Sequence, residues 1–203
     1  MPLNLTYRKL PKPALALLMI VAGVAGRILL ASAPNVEPVL ILSMLAGMLL
    51  GGIYALVVPV SIMALSDVYF YFVPYEGMYP AFSILGLAAF VYSGYAFVSL
   101  MGGFLMRRRL VWRTRTIAIL TTISVPLTIA YDAWTAFGNW LFISAPLGQT
   151  LPQVYAMQVP FTLIHVFSSL LFAPILGTTF LAIHTFGVPV PGEAPAEARQ
   201  DSQ

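Results

Sequence analysis

Apolar runs of bilayer-spanning length fill this chain, and most of its positive charge is gathered into two short clusters between them. Arg8, Lys9 and Lys12 precede the first run, and Arg107, Arg108, Arg109, Arg113 and Arg115 separate the fourth from the fifth. Eight of the ten basic residues sit there, and segments flanking membrane spans keep excess Lys and Arg on the cytoplasmic side. A hydrocarbon core about 30 Å thick takes about 20 helical residues at 1.5 Å rise each. That ruler predicts six spans, at about residues 13 to 33, 38 to 51, 53 to 73, 82 to 105, 116 to 143 and 159 to 186. An even number of spans then separates the clusters, which puts both on one side, as the charge rule requires. The expected fold is an all-α membrane protein of six transmembrane helices with both termini cytoplasmic, a multi-pass protein of the cell membrane. The transmembrane domain covers residues 1–187, and the polar, Pro-rich stretch 188–203 is expected to be a disordered cytoplasmic tail.

Composition narrows the function classes. The chain is 60% hydrophobic and 8% charged, where soluble domains carry roughly a quarter of charged residues. Its net charge of +3 comes from the two clusters and reads as topology; no basic stripe interleaves with aromatics, so the bilayer is an expected partner and nucleic acid is not. Without cysteine there is no disulfide, thiolate metal site or cysteine nucleophile. No HExxH, Gly-rich phosphate loop or Gly-x-Ser-x-Gly occurs, so neither catalysis nor a metal or cofactor is expected. Ala31-Ser32-Ala33 resembles a signal-cleavage site, but the preceding run exceeds the usual length of about 7 to 15 residues, Arg27 interrupts it and Pro34 follows. The first segment is expected to be retained as a span.

Polar residues inside the spans concentrate on the outer half. Arg27 lies about 21 Å from the inner edge, and Glu37, Asp67 and Asp132 share its level. A charge at that depth requires a partner or water. Two compatible readings are an ion pair, with Asp67 as favoured partner, and the lining of a polar ligand pocket. Asp132, Thr135 and Asn139 fall at spacings of three and four, so they form one polar stripe beside Tyr131, Trp134 and Trp140. Helix-to-helix hydrogen bonding and a cavity for a planar polar ligand both fit that stripe. The outer segment from Tyr69 to Pro80 is dense in tyrosine, which fits an interfacial belt or a lid in which Tyr75 and Tyr79 stack on a ligand, with the loop 147–158 as its other side. His165 and His184 are read as satisfied histidines. Ser43, Gly47, Gly51 and Ala55 recur every four residues, a pattern for close helix contact inside the bundle. Ala14, Ala22 and Gly26 share a face of the first span, interrupted by Leu18.

Several of these segments resemble the substrate-binding S-components of energy-coupling factor (ECF) vitamin transporters. The first span followed by Pro34-Asn35-Val36-Glu37-Pro38 and then Leu45-Ala46-Gly47-Met48-Leu49-Leu50-Gly51 is similar to their first two helices. Ser66-Asp67 is similar to the end of their third helix, and Tyr131-Asp132 with Asn139 to their fifth. The resemblance implies an S-component-like six-helix bundle that captures a vitamin-like small molecule from outside. The ligand implied first is of cobalamin type, with riboflavin- and queuosine-precursor-type ligands open. Arg27, Asn35, Asp67, Tyr75, Tyr79, Asp132, Trp134 and Asn139 would bind it. Ala14, Ala22 and Gly26 would dock an ECF transmembrane coupling subunit driven by ATPases. The alternative class is a structural or accessory subunit of a larger integral membrane complex, in which Arg27, Asp67 and the GxxxG face serve assembly.

Overall fold

In the computed structural model, which describes residues 5–72, 80–107 and 111–191, five helices pack around a sixth that has no solvent-facing side. A short strand β1 (Leu5–Arg8) leads into α1 (Lys12–Leu29); α2 (Val39–Leu45) continues as a π-helix over Ala46–Leu50. Then follow α3 (Tyr54–Phe72), α4 (Ala81–Met106), α5 (Thr114–Asn139), α6 (Leu151–Phe186) and strand β2 (Val188–Pro191). Four of the helical segments, Lys12–Leu29, Phe82–Met106, Thr114–Leu147 and Leu151–Phe186, are long and apolar enough to cross a membrane.

The helix formed by Val39–Leu50 is the core. Every one of its residues is buried, as expected of a segment that is apolar on all sides. Its 12 residues rise only about 18 Å, and its neighbours α1, α3, α4, α5 and α6 enclose it. The small residues make that enclosure tight. A Cβ on Gly47 would overlap the Ser99 carbonyl oxygen of α4, and one on Gly102 would overlap the Met44 carbonyl oxygen. The GxxxG pattern is thus spent on backbone contact between α2 and α4. Gly51 and Gly52 follow with φ of 61° and 56°, left-handed values that favour glycine, and they turn the chain directly into α3.

Packing also redefines the outward side of α1. Gly26 faces Pro38, where a side chain would collide, and Gly23 faces Ile62. Ala22 packs against the core and Ala14 is half-buried. The face expected to dock a coupling subunit is therefore largely occupied within the chain, because the α1–α2 connection folds back over it. Leu17, Leu18, Val21 and Leu29, all large, point outward instead.

Two boundaries differ from the sequence expectation. Helix α6 starts at Leu151, inside the segment expected to be a loop, because Thr150 and Gln153 form a capping box in which the Thr150 N–H donates to Gln153 Oε1 at 2.8 Å. Residues Val188–Pro191, assigned from composition to the tail, pair antiparallel with Leu5–Arg8, with Thr6 opposite Val190 and Arg8 opposite Val188. Strands β1 and β2 therefore meet at one end of the bundle. Lys12 reaches the same end, donating to the Leu50 carbonyl at 3.1 Å; Arg107 lies against Gly51, and Trp112 packs on Phe186. The two basic clusters share that end.

Gly47→Leu is expected to destabilise the protein by about 3 kcal/mol, the upper range of overpacking, since the obstacle is backbone that cannot rotate away. Gly52→Leu, which meets no atom within 4 Å, should lose only what its positive φ imposes. Thermal unfolding of the two variants in detergent checks the order.

Candidate functional site

Helix α1 delivers Arg27 in its last turn, and groups from four other parts of the chain answer it. Nη1 donates to Asp67 Oδ1 at 2.7 Å and to Ser66 Oγ at 2.6 Å, both on α3, while Nε lies 3.2 Å from Glu37 Oε2 in the α1–α2 connection. Asn35 adopts a φ of 61° in that connection, a conformation asparagine tolerates. The carboxylates are held in turn. The Tyr92 hydroxyl of α4 donates to Asp67 Oδ2 at 2.9 Å, and the Tyr95 hydroxyl donates to Glu37 Oε1. The Glu37 N–H donates to Ser168 Oγ of α6 at 3.1 Å, and the guanidinium sits 5.2 Å from the Phe70 ring centre. A partly buried cation survives because two carboxylates and a hydroxyl surround it; the cluster as a whole carries a net negative charge.

A second polar pair lies between α5 and α6. Asp132 Oδ1 and His165 Nδ1 are 2.8 Å apart, with side chains 4% and 2% exposed. Facing a carboxylate, Nδ1 is the protonated nitrogen. Asp132 Oδ2 and His165 Nε2 are buried and have no hydrogen-bond partner among the described residues. Each such orphan costs about 1–3 kcal/mol, so His165 is only half satisfied, against the sequence expectation. The Tyr131 ring meets His165 edge-on at 5.7 Å and packs on Tyr95 at 4.4 Å, which joins this pair to the Arg27 cluster. One turn toward the basic end, Thr128 and Ser169 share a hydrogen bond of 2.8 Å.

Both groups border one cavity of about 660 Å³, within the usual range for small-molecule sites. Of the residues expected to bind, Arg27, Asn35, Asp67, Asp132 and Asn139 line it, as does Thr135 of the α5 stripe. Met63, Phe70, Leu87, Val91 and Phe161 give it an apolar wall. Trp134 does not belong. Two residues beyond Asp132, it lies about 200° around the helix, where its indole N–H donates to Ser93 Oγ at 3.0 Å and its ring packs on Phe90 at 4.6 Å. Tyr75 and Tyr79 lie outside the described residues. Glu37, Tyr95 and His165 line the cavity without having been assigned to it from sequence; the signal for Glu37 was its shared membrane depth with Arg27. A second hollow of about 430 Å³ at the basic end, walled by Gly47, Gly51, Gly52 and Gly103, has Ser99 and Arg107 as its only polar side chains. It lacks the convergent groups of the first. Among the described residues no three His, Asp or Glu side chains converge to hold a metal ion.

An all-helical bundle with four membrane-length apolar helices and a charge-lined cavity defines the class of protein. The chain belongs to a family of unknown function, DUF6580, whose pattern matches residues 8–189, covering every helix and the cavity. No curated protein and no solved structure matches it.

Arg27→Met leaves Glu37 and Asp67 facing each other without a cation. A loss of about 3 kcal/mol is expected, the low end for breaking a buried pair, because Asp67 is 37% exposed. Arg27→Met combined with Glu37→Gln and Asp67→Asn should recover most of it, measured by thermal unfolding in detergent.

Proposed function

We propose that this protein is a membrane module that captures a vitamin-like small molecule from the outer side, akin to an S-component of ECF-type transport, with six spans and both termini cytoplasmic. One observation carries the reading. Arg27, Asn35, Asp67, Asp132 and Asn139, drawn from α1, the α1–α2 connection, α3 and α5, wall a single cavity remote from the basic end. Arg27 is 15 residues beyond Lys12 on one helix, about 22 Å along its axis. The positive-inside rule supports a cytoplasmic basic end, which makes the cavity end outer. The short helix Val39–Leu50 counts as a span because protein encloses it on every side, as non-standard elements at membrane depth require.

Cavity size bears on the ligand. About 660 Å³ suits a planar molecule of a few fused rings; a corrinoid with its nucleotide loop exceeds it, so the smaller ligand types fit better than the cobalamin type. The proposal covers capture. Coupling to an ECF transmembrane subunit and its ATPases through Ala14, Ala22 and Gly26 would use what these half-buried residues leave exposed on α1. The accessory-subunit reading has less support: Arg27 and Asp67 satisfy each other within one chain, and the GxxxG face is consumed by α4.

Native mass spectrometry of the protein released from lipid nanodiscs tests the reading. A stoichiometric non-lipid small molecule is expected; copurifying integral subunits with no such molecule would establish the accessory role instead. Orientation has its own check, clean because the chain contains no cysteine. Arg113→Cys should react with a membrane-impermeant maleimide only after the cells are permeabilised, and labelling of intact cells would move the cavity to the inner side.

A further inference from the structure

We infer that the cavity selects an organic cation carrying two adjacent N–H donors, which Asp132 Oδ2 and His165 Nε2 accept. The inference rests on the reading that the cavity binds a small molecule, and it identifies the chemical class. Charge gives the first argument. Among the described residues lining the cavity, one arginine faces three carboxylates, Glu37, Asp67 and Asp132. Arg27 has its Nη1 and Nε engaged by Asp67, Ser66 and Glu37. An anionic ligand at the guanidinium would lie against those two carboxylates, whereas a cation enters a site that already holds excess negative charge.

The orphaned atoms give the second argument, independent of the first. His165 Nδ1 lies 2.8 Å from Asp132 Oδ1; in the tautomer that carries its proton on Nδ1, facing the carboxylate, Nε2 presents a lone pair. Oδ2 of the carboxylate is also an acceptor. Two buried acceptors on neighbouring side chains, each without a protein donor among the described residues, match a ligand that brings two donors, as an amidine, guanidine or aminated heteroaromatic ring does. Phe161 on the cavity wall adds an aromatic ring, a group that attracts a delocalised cation.

The probe is benzamidinium, a planar cation with paired N–H donors, set against benzoate and benzamide, its anionic and neutral counterparts of nearly equal shape. Thermal unfolding of the unaltered protein in detergent is measured across a concentration series of each. Benzamidinium should raise the Tm saturably while benzoate and benzamide leave it unchanged. Asp132→Asn, which replaces one acceptor oxygen by a donor amide and removes the charge, should weaken benzamidinium at least tenfold, and His165→Phe should weaken it as well. Stabilisation by benzoate or benzamide in preference to benzamidinium overturns the inference while leaving the cavity as a binding site; so does an anionic or neutral molecule found bound by native mass spectrometry. No shift with any probe also overturns it. The absence of any small molecule in both experiments removes the capture function along with it. The probe comparison needs no variant, so it decides the matter even where Asp132→Asn does not fold.

Discussion

A cation held inside an apolar bundle sets the terms for the outer half of this structure. Arg27 cannot remain alone at its depth, and satisfying it draws in Asp67 and Ser66 from α3 and Glu37 from the connection after α1. Those carboxylates then require donors of their own, which come from Tyr92 and Tyr95 of α4, while Ser168 of α6 accepts from the backbone N–H of Glu37. Four helices and a connection are thus tied by one charge. Such a network contributes geometric specificity more than net stability, since desolvation offsets much of the attraction.

The other end is built on a different principle. There the helices approach through missing side chains: Gly47, Gly102 and Gly103 let α2 and α4 touch backbone to backbone, and dispersion between closely packed surfaces replaces ionic pairing. Close contact at the glycine end and a polar cluster at the other leave room between α1, α3, α4, α5 and α6 beyond the start of the short core helix. The cavity occupies that room, and its wall combines satisfied ions on one side with the half-satisfied Asp132–His165 pair on the other.

Much of this was legible because membrane burial makes sequence rules strict. A lone arginine in an apolar run demands a carboxylate, and Asp67 meets it. The spacing of Asp132, Thr135 and Asn139 placed them on one face, which the cavity bears out by position, while Trp134 was assigned with them for its chemistry although its spacing puts it on the opposite side. Gly47 was readable as a packing residue from its four-residue ladder. Partners distant in sequence were not readable. His165 meets Asp132 from another helix, and nothing local shows that only one of its nitrogens is used. Gly26 meets Pro38 only because the connection doubles back. The start of α6 was present in the sequence as Thr150-x-x-Gln153 but hidden by the absence of a strongly apolar run there. The tail was judged by its prolines, yet a two-stranded ribbon has solvent-facing positions where a missing N–H does no harm.

That ribbon has a consequence for how the molecule is made. Leu5–Arg8 finds its hydrogen-bond partner only in Val188–Pro191, so during synthesis the first strand waits, unpaired, until the last helix has been translated. Helices inserted one after another can associate earlier, but β1 and β2 pair only at the end. The paired strands act as a clasp on a bundle whose helices already pack on one another.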